Sequence, residues 1–169
     1  RSRGLGDVYK RQPLKTKDLK NFKGLDFFEF DSTYVVDAKI QETPDSLPFK
    51  MKTTTDDPAD FRMFGKLVFK LNDKQYTLTA YENLDYLDVE GYENYLFLPF
   101  LDKTNGFETY GGGRYIDLYL NNEDSITIDF NRAYNPQCVY DEDFSCPIVP
   151  RQNLLDIRIE AGVKNFYTK

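Results

Sequence analysis

Apolar and polar residues alternate along most of the chain. In "TYVVDAKIQ", Tyr34, Val36, Ala38 and Ile40 fall on one face and Asp37, Lys39 and Gln41 on the other. A period of two marks a strand with one buried face. "TPDSLP" reads as a turn, and "FKMKTTT" alternates again, with Phe49, Met51 and Thr53 against Lys50 and Lys52. Past the break at "DDPAD", the stretch "KLVFKLNDKQYTLTAY" predicts a hairpin. Leu67, Phe69 and Leu71 are answered by Tyr76, Leu78 and Ala80 across Asn72-Asp73, residue types that tolerate hairpin turn geometry.

Further on, "ENLDYLDVEGYEN" reads as a short helix or a loop, and "YLFLPF" as a strand that Pro99 confines to an edge or a bulge. "GRYIDLYL" and "SITIDFN" predict a second hairpin across "NNED", with Ile116, Leu118 and Leu120 on one face and Ile126, Ile128 and Phe130 on another. "NLLDIRIEA" predicts a last strand with Leu155, Ile157 and Ile159 inward and Asp156, Arg158 and Glu160 outward. Only "KTKDLKNF" suggests a helix. The expected fold is all-β: an antiparallel small barrel, roll or sandwich with one long ordered loop. That loop, residues 132–152, is too long for a simple turn. It carries Tyr134, Tyr140, Phe144 and Ile148, which can pack, and Pro136, Pro147 and Pro150, which stiffen it. It is expected to pack against one end of the β structure.

Composition narrows the chemistry. "DVYKRQ", residues 7–12, reads as an in-frame translation of a transposon end, so residues 1–12 are expected to be a non-native scar. Residues 13–169 are then a single β domain whose native N-terminus, with any signal peptide or anchor, is missing. The chain has 22 basic and 28 acidic residues, and without the first twelve it keeps 18 and 27. An acidic body argues against nucleic acid as a partner, since phosphate backbones call for a dense basic surface. No apolar run approaches the roughly 20 residues of a transmembrane helix. With no histidine in the chain, Ser-His and Cys-His nucleophile pairs and imidazole zinc sites are excluded. Acid–base chemistry falls to carboxylates, Tyr, Lys or Cys.

Both cysteines lie in the long loop. Cys138 and Cys146 are too far apart for a CxxC motif and too few for a four-cysteine zinc site. They are expected to be structural, as a disulfide closing the loop or as two buried thiols, according to compartment. Asp141, Glu142 and Asp143 lie between them and oppose a thiolate nucleophile. A metal would need ligands from elsewhere, and neither metal nor cofactor is expected.

Two stretches carry candidate binding chemistry. In "ETYGGGRY" the glycines let backbone N–H groups converge beside Arg114, an arrangement that can hold a carboxylate or phosphate. Arg114 shares the parity of Ile116 and Leu118, so the alternative is an inward Arg paired to an internal acid. In "DFNRAYNP", Asp129 and Asn131 share a strand face and can converge with Tyr134 and Asn135 on a small ligand. The alternative is local turn architecture. Asp102, Glu108, Asp117 and Asp129 are candidates for paired carboxylates.

"LKNFKGLDFFEFDSTYVVDAKI", "YLFLPFLDKTNGFETYGGGRYIDL", "DFNRAYNPQCVYDEDFSCPIVPRQN" and "IRIEAGVK" together resemble the family labelled domain of unknown function 1684, in versions from Bacteroidetes-like bacteria. The most specific motif is DFNxAYNPxCxY followed by CPxxP. The resemblance implies no activity. Some such versions look exported, which leans toward the cell envelope or periplasm. The family often has Glu where this chain has Gln152.

The expected function is a binding module for a small anionic ligand at Arg114, Asn131, Tyr134 and Asn135. One alternative is a histidine-free hydrolase on the same site with Asp129 as base. Another is a structural or interaction domain of the cell envelope. Oligomeric state is not legible.

Overall fold

The computed structural model describes residues 14–15 and 22–166. The tract at 1–12 and most of the helix expected at 15–22 lie outside the described residues. Among those described there is no α-helix, only seven strands and five short 3-10 turns. The strands are β1 (Val35–Glu42), β2 (Phe49–Met51), β3 (Ala59–Leu71), β4 (Lys74–Asn83), β5 (Tyr95–Phe100), β6 (Arg114–Tyr119) and β7 (Ser125–Asp129). All pair antiparallel, in the order β6-β5-β4-β3-β1-β7, with β2 on β3. The sheet curls into a half-barrel, as the alternation predicts.

The β3–β4 hairpin forms where expected, with Leu71 opposite Lys74. Asn72 and Asp73 both take positive φ, 50° and 60°, the two-residue turn whose twist suits adjoining strands. Strand β3 is long enough to pair first with β2 and then with β1 along one edge. Its ladder to β4 shifts register between Met63 and Gly65. A Cβ at Gly65 would lie 2.6 Å from the Gln41 carbonyl oxygen, so the close approach of β1 requires glycine there.

Because side chains alternate, the sheet has two packed faces. The inner face carries Leu67, Phe69, Leu78, Leu98, Ile116 and Ile128, all buried in one core. The outer face carries Phe61, Tyr81, Phe97 and Tyr115, packed with Met51 and Val149. The long loop therefore lies on the outer face rather than over an end of the barrel. Ile148 N–H donates to the Lys52 carbonyl at 2.8 Å, and Thr54 N–H to the Cys146 carbonyl at 2.8 Å. The loop extends the β2 side of the sheet because its apolar side chains complete the outer cluster.

Two expected pairings are replaced. Strands β6 and β7 do not form a hairpin ladder: β6 pairs with β5 and β7 with β1. The curl brings these terminal strands of the sheet near one another. They are joined by the turn at 120–124 and, beyond β7, by reciprocal hydrogen bonds between Tyr115 and Tyr134 at 2.9 and 3.0 Å. Between those two ties a seam remains. The other replacement is at 153–163, where Leu155 and Ile159 point inward as expected but the segment forms no strand. It makes one parallel bridge, Leu101 to Leu154, and its backbone bonds go to loops.

Strand β5 lies within the strand order, not at an edge, yet its register with β4 is a single pair, Tyr81 and Phe97. Pro99 has no N–H for a ladder. The gap is filled by the buried side chain of Asn153, which accepts from Thr79 N–H at 2.8 Å and donates to the carbonyls of Thr79 and Pro99 at 2.8 and 2.7 Å.

Candidate functional site

The seam between β6 and β7 forms a groove of about 260 Å³. Its polar lining is Asp117, Asn121, Thr127, Asp129 and Arg132, with Tyr119 at its side and Ile116, Leu118 and Ile126 at its base. Strand parity puts Asp117 and Tyr119 outward from β6. Asp117 Oδ1 accepts from the Tyr134 hydroxyl at 2.6 Å and from the Tyr95 hydroxyl at 3.0 Å. Burial first, and the Asp117 charge second, hold both phenols well above the ordinary tyrosine range. They stay protonated and act as fixed donors.

Asp129 caps the 3-10 turn Phe130–Arg132, its Oδ1 accepting from the N–H and the side-chain Nδ2 of Asn131, both at 3.0 Å. Thr127 donates its hydroxyl to Asp37 at 2.8 Å. Arg132 is exposed and makes no ion pair among the described residues. Beside the groove, the ring of Tyr119 lies 5.7 Å from Tyr95, and Tyr86 and Tyr92 continue the aromatic row.

Asp129, the candidate base, lines this groove, and of the residues expected to bind ligand Tyr134 reaches it through Asp117. Asn131 stands next to it but turns to the chain: its Oδ1 accepts from Asp31 N–H at 3.0 Å and its Nδ2 donates to the Asp31 carbonyl at 2.9 Å. Asn135 is buried under the loop, donating to Lys164 O at 3.2 Å and to the Tyr140 hydroxyl at 3.3 Å. Its Oδ1 has no partner among the described residues.

Arg114 lies elsewhere. It is fully buried on the inner face, paired with Asp102 at 2.8 Å where both side chains are 0% exposed. The same guanidinium donates to the carbonyls of Ile159, Ala161 and Val163 and stacks over Phe100. Burial lowers its pKa and Asp102 opposes that shift. Gly113, at φ 93°, delivers it: a Cβ there would lie 2.6 Å from the Phe100 carbonyl oxygen. Glu108 pairs with Arg158 at 2.5 Å on the surface. Gln152 donates to the Tyr81 hydroxyl at 2.8 Å.

The cysteines are free thiols that touch. Cys138 is half-buried and Cys146 buried. Cys138 N–H donates to Cys146 Sγ at 3.1 Å. The neighbouring Cys146 thiol, first among the causes, draws Cys138 down to about 6 against the effect of burial. Cys146 is pushed the other way by its partner and by burial. No group of three or more Cys, Asp or Glu able to hold a metal occurs among the described residues.

A second, wider hollow of about 510 Å³ lies near residues 28–34 and opens to solvent. Its charged lining is Glu29, Asp31 and Glu160, and Glu160 is paired with Arg158 at 2.9 Å.

Asn121, Tyr119, Thr127 and Arg132 escaped the sequence reading of the groove. The outward parity of Asp117 and Tyr119 was visible, but only the curl shows that β7 lies beside them.

The fold and groove together define an incompletely closed antiparallel half-barrel with a polar seam. The chain belongs to the family described as "Protein of unknown function (DUF1684)", whose model matches residues 20–164. It is similar to the solution NMR structure of an uncharacterised protein of Haloarcula marismortui, at 33% identity and a TM-score of 0.71. That match covers 90% of this chain and 82% of the other. No curated protein matches the chain.

Proposed function

We propose that this domain binds a small hydroxyl-rich molecule, a sugar or polyol, in the seam groove between β6 and β7. One observation carries the reading: acceptor carboxylates of Asp117 and Asp129 and the donor Arg132, which makes no ion pair among the described residues, line a single groove flanked by the Tyr119 ring. The described hydrogen bonds to each carboxylate use Oδ1, which orients Oδ2 as an acceptor for ligand hydroxyls. The tyrosine ring supplies an apolar platform with a polar rim. A small anion, the ligand expected from Arg114, is less well served here. Arg114 is committed to the interior, and the groove holds two carboxylates against one guanidinium. Location in a bacterial cell envelope, drawn from the motif resemblance, belongs to the same proposal.

Chemical-shift mapping by NMR against a panel of neutral mono- and disaccharides tests this. Perturbations confined to Asp117, Tyr119, Thr127 and Arg132, and lost in Tyr119→Ala, are expected. No perturbation, or changes scattered over the sheet, would overturn it.

A hydrolase with Asp129 as base is a second reading, favoured because Asp129 borders the same groove. Its test is turnover of aryl glycosides that Asp129→Asn abolishes while saccharide binding persists.

A further inference from the structure

We infer that Cys138 and Cys146 form a peroxide-reactive dithiol, in which Cys138 is the attacking thiol and Cys146 the resolving one. The pair lies on the outer face of the sheet, away from the seam groove, and the inference is independent of the binding proposal.

Two features of the geometry assign the roles. First, the two side chains are already neighbours: Cys146 Sγ accepts from Cys138 N–H at 3.1 Å. Second, exposure is unequal. Cys138 is half-buried, so an oxidant reaches it, whereas Cys146 is buried. The downward direction of the Cys138 pKa, with the neighbouring Cys146 thiol first among its causes, agrees with this order. The acidic run 141–143, which argued from sequence against a thiolate, is turned to other partners. Asp141 accepts from Asp143 N–H at 3.2 Å, and Asp141 and Glu142 take Lys15 at 3.6 and 3.1 Å.

The chemistry balances. The Cys138 thiolate attacks one oxygen of a hydroperoxide, the O–O bond breaks, and the departing oxygen leaves as an alcohol or water after taking a proton. Cys138 is then a sulfenic acid. Cys146 attacks that sulfur, the S–S bond forms, and hydroxide leaves as water with the Cys146 proton. Two thiols have lost two electrons and one peroxide has gained them. The loop is anchored on both sides of Cys146, through Thr54 N–H to the Cys146 carbonyl and Cys146 N–H to the Thr54 hydroxyl, so the resolving sulfur is held near its target.

The experiment is stoichiometric hydrogen peroxide added to the reduced, folded chain, read by intact mass and thiol count. The wild type is expected to lose two hydrogens and both thiols per peroxide without forming disulfides between chains. Cys146→Ser is expected to stop at a sulfenic acid on Cys138 that dimedone traps. In Cys138→Ser, oxidation of Cys146 is expected to slow by about tenfold or more, since only a buried thiol remains. Three results would each overturn the inference: thiols oxidised only after unfolding, dimedone labelling Cys146 in preference to Cys138, or equal oxidation rates in the two single variants. The wild-type mass and thiol count stand even if one variant fails to fold.

Discussion

The side-chain amide of Asn153 stands in the sheet opposite Pro99, donating to its carbonyl at 2.7 Å while also engaging both backbone groups of Thr79. It serves as a piece of strand between β4 and β5, where proline cannot contribute a donor.

Asn153→Ala is accordingly expected to leave one buried N–H and two carbonyls without this partner. Each such group costs about 1–3 kcal/mol if left unsatisfied, so a loss of roughly 2–4 kcal/mol is expected after partial relaxation. Urea unfolding measures it. A loss within about 0.5 kcal/mol, typical of a surface change, would contradict the assigned role.

Removal of Asp102 tests the buried ion pair. Asp102→Ala strands the Arg114 guanidinium and is expected to cost about 3–5 kcal/mol. Asp102 Oδ1 also accepts from Thr104 N–H at 2.7 Å. An apolar double replacement, Asp102→Leu with Arg114→Met, is not expected to restore stability. Three carbonyls, of Ile159, Ala161 and Val163, would lose their donor with Arg114. Recovery to wild-type stability in the double variant would show that the pair, not the strapping of this segment, is what matters.

Alkaline pH should unfold the domain. Burial pushes Tyr81 up to about 12. Tyr95, Tyr115 and Tyr134 are raised further, burial being first among the causes in each. Tyrosines of the unfolded chain ionise near pH ~10. The stability these phenols lend is therefore complete below about pH 10 and is lost as pH rises through about 12 and above, because the unfolded state releases protons that the folded state keeps. The urea midpoint is expected to be lower at about pH 11 than at about pH 8. Tyrosinate absorbance of the buried rings should appear together with unfolding.

A bridge between Cys138 and Cys146 should stabilise the chain by about 2–3 kcal/mol through loop closure in the unfolded state. Melting of the oxidised wild type against Cys138→Ser in non-reducing buffer measures this. Equal melting temperatures would refute it.

Much of the fold was legible because it is encoded locally. The alternation in β1 placed Val36 and Ala38 in the core. Asn72-Asp73 marked the hairpin turn because these residues tolerate positive φ. The parity of Leu155 and Ile159 was right even where no strand formed. The inward reading of Arg114 was available from its parity with Ile116. The candidate groove was less visible, for Asp129 and Tyr134 were singled out while Asp117 was only one acid among several.

Strand content, the positions that face the core and the sharpest turn were thus determined by the sequence alone, since side-chain period and turn chemistry act over a few residues. Tertiary structure decided the partners. Adjacent hydrophobic runs in β6 and β7 look like a hairpin, but pairing β7 with β1 lets the curled sheet enclose a common core. That choice opens the seam and puts Asp117 and Asp129 on one groove. The pairing of β7 with β1 joins segments distant in the chain that meet only when the whole apolar face is buried, and a local pattern carries no record of which distant segment that will be.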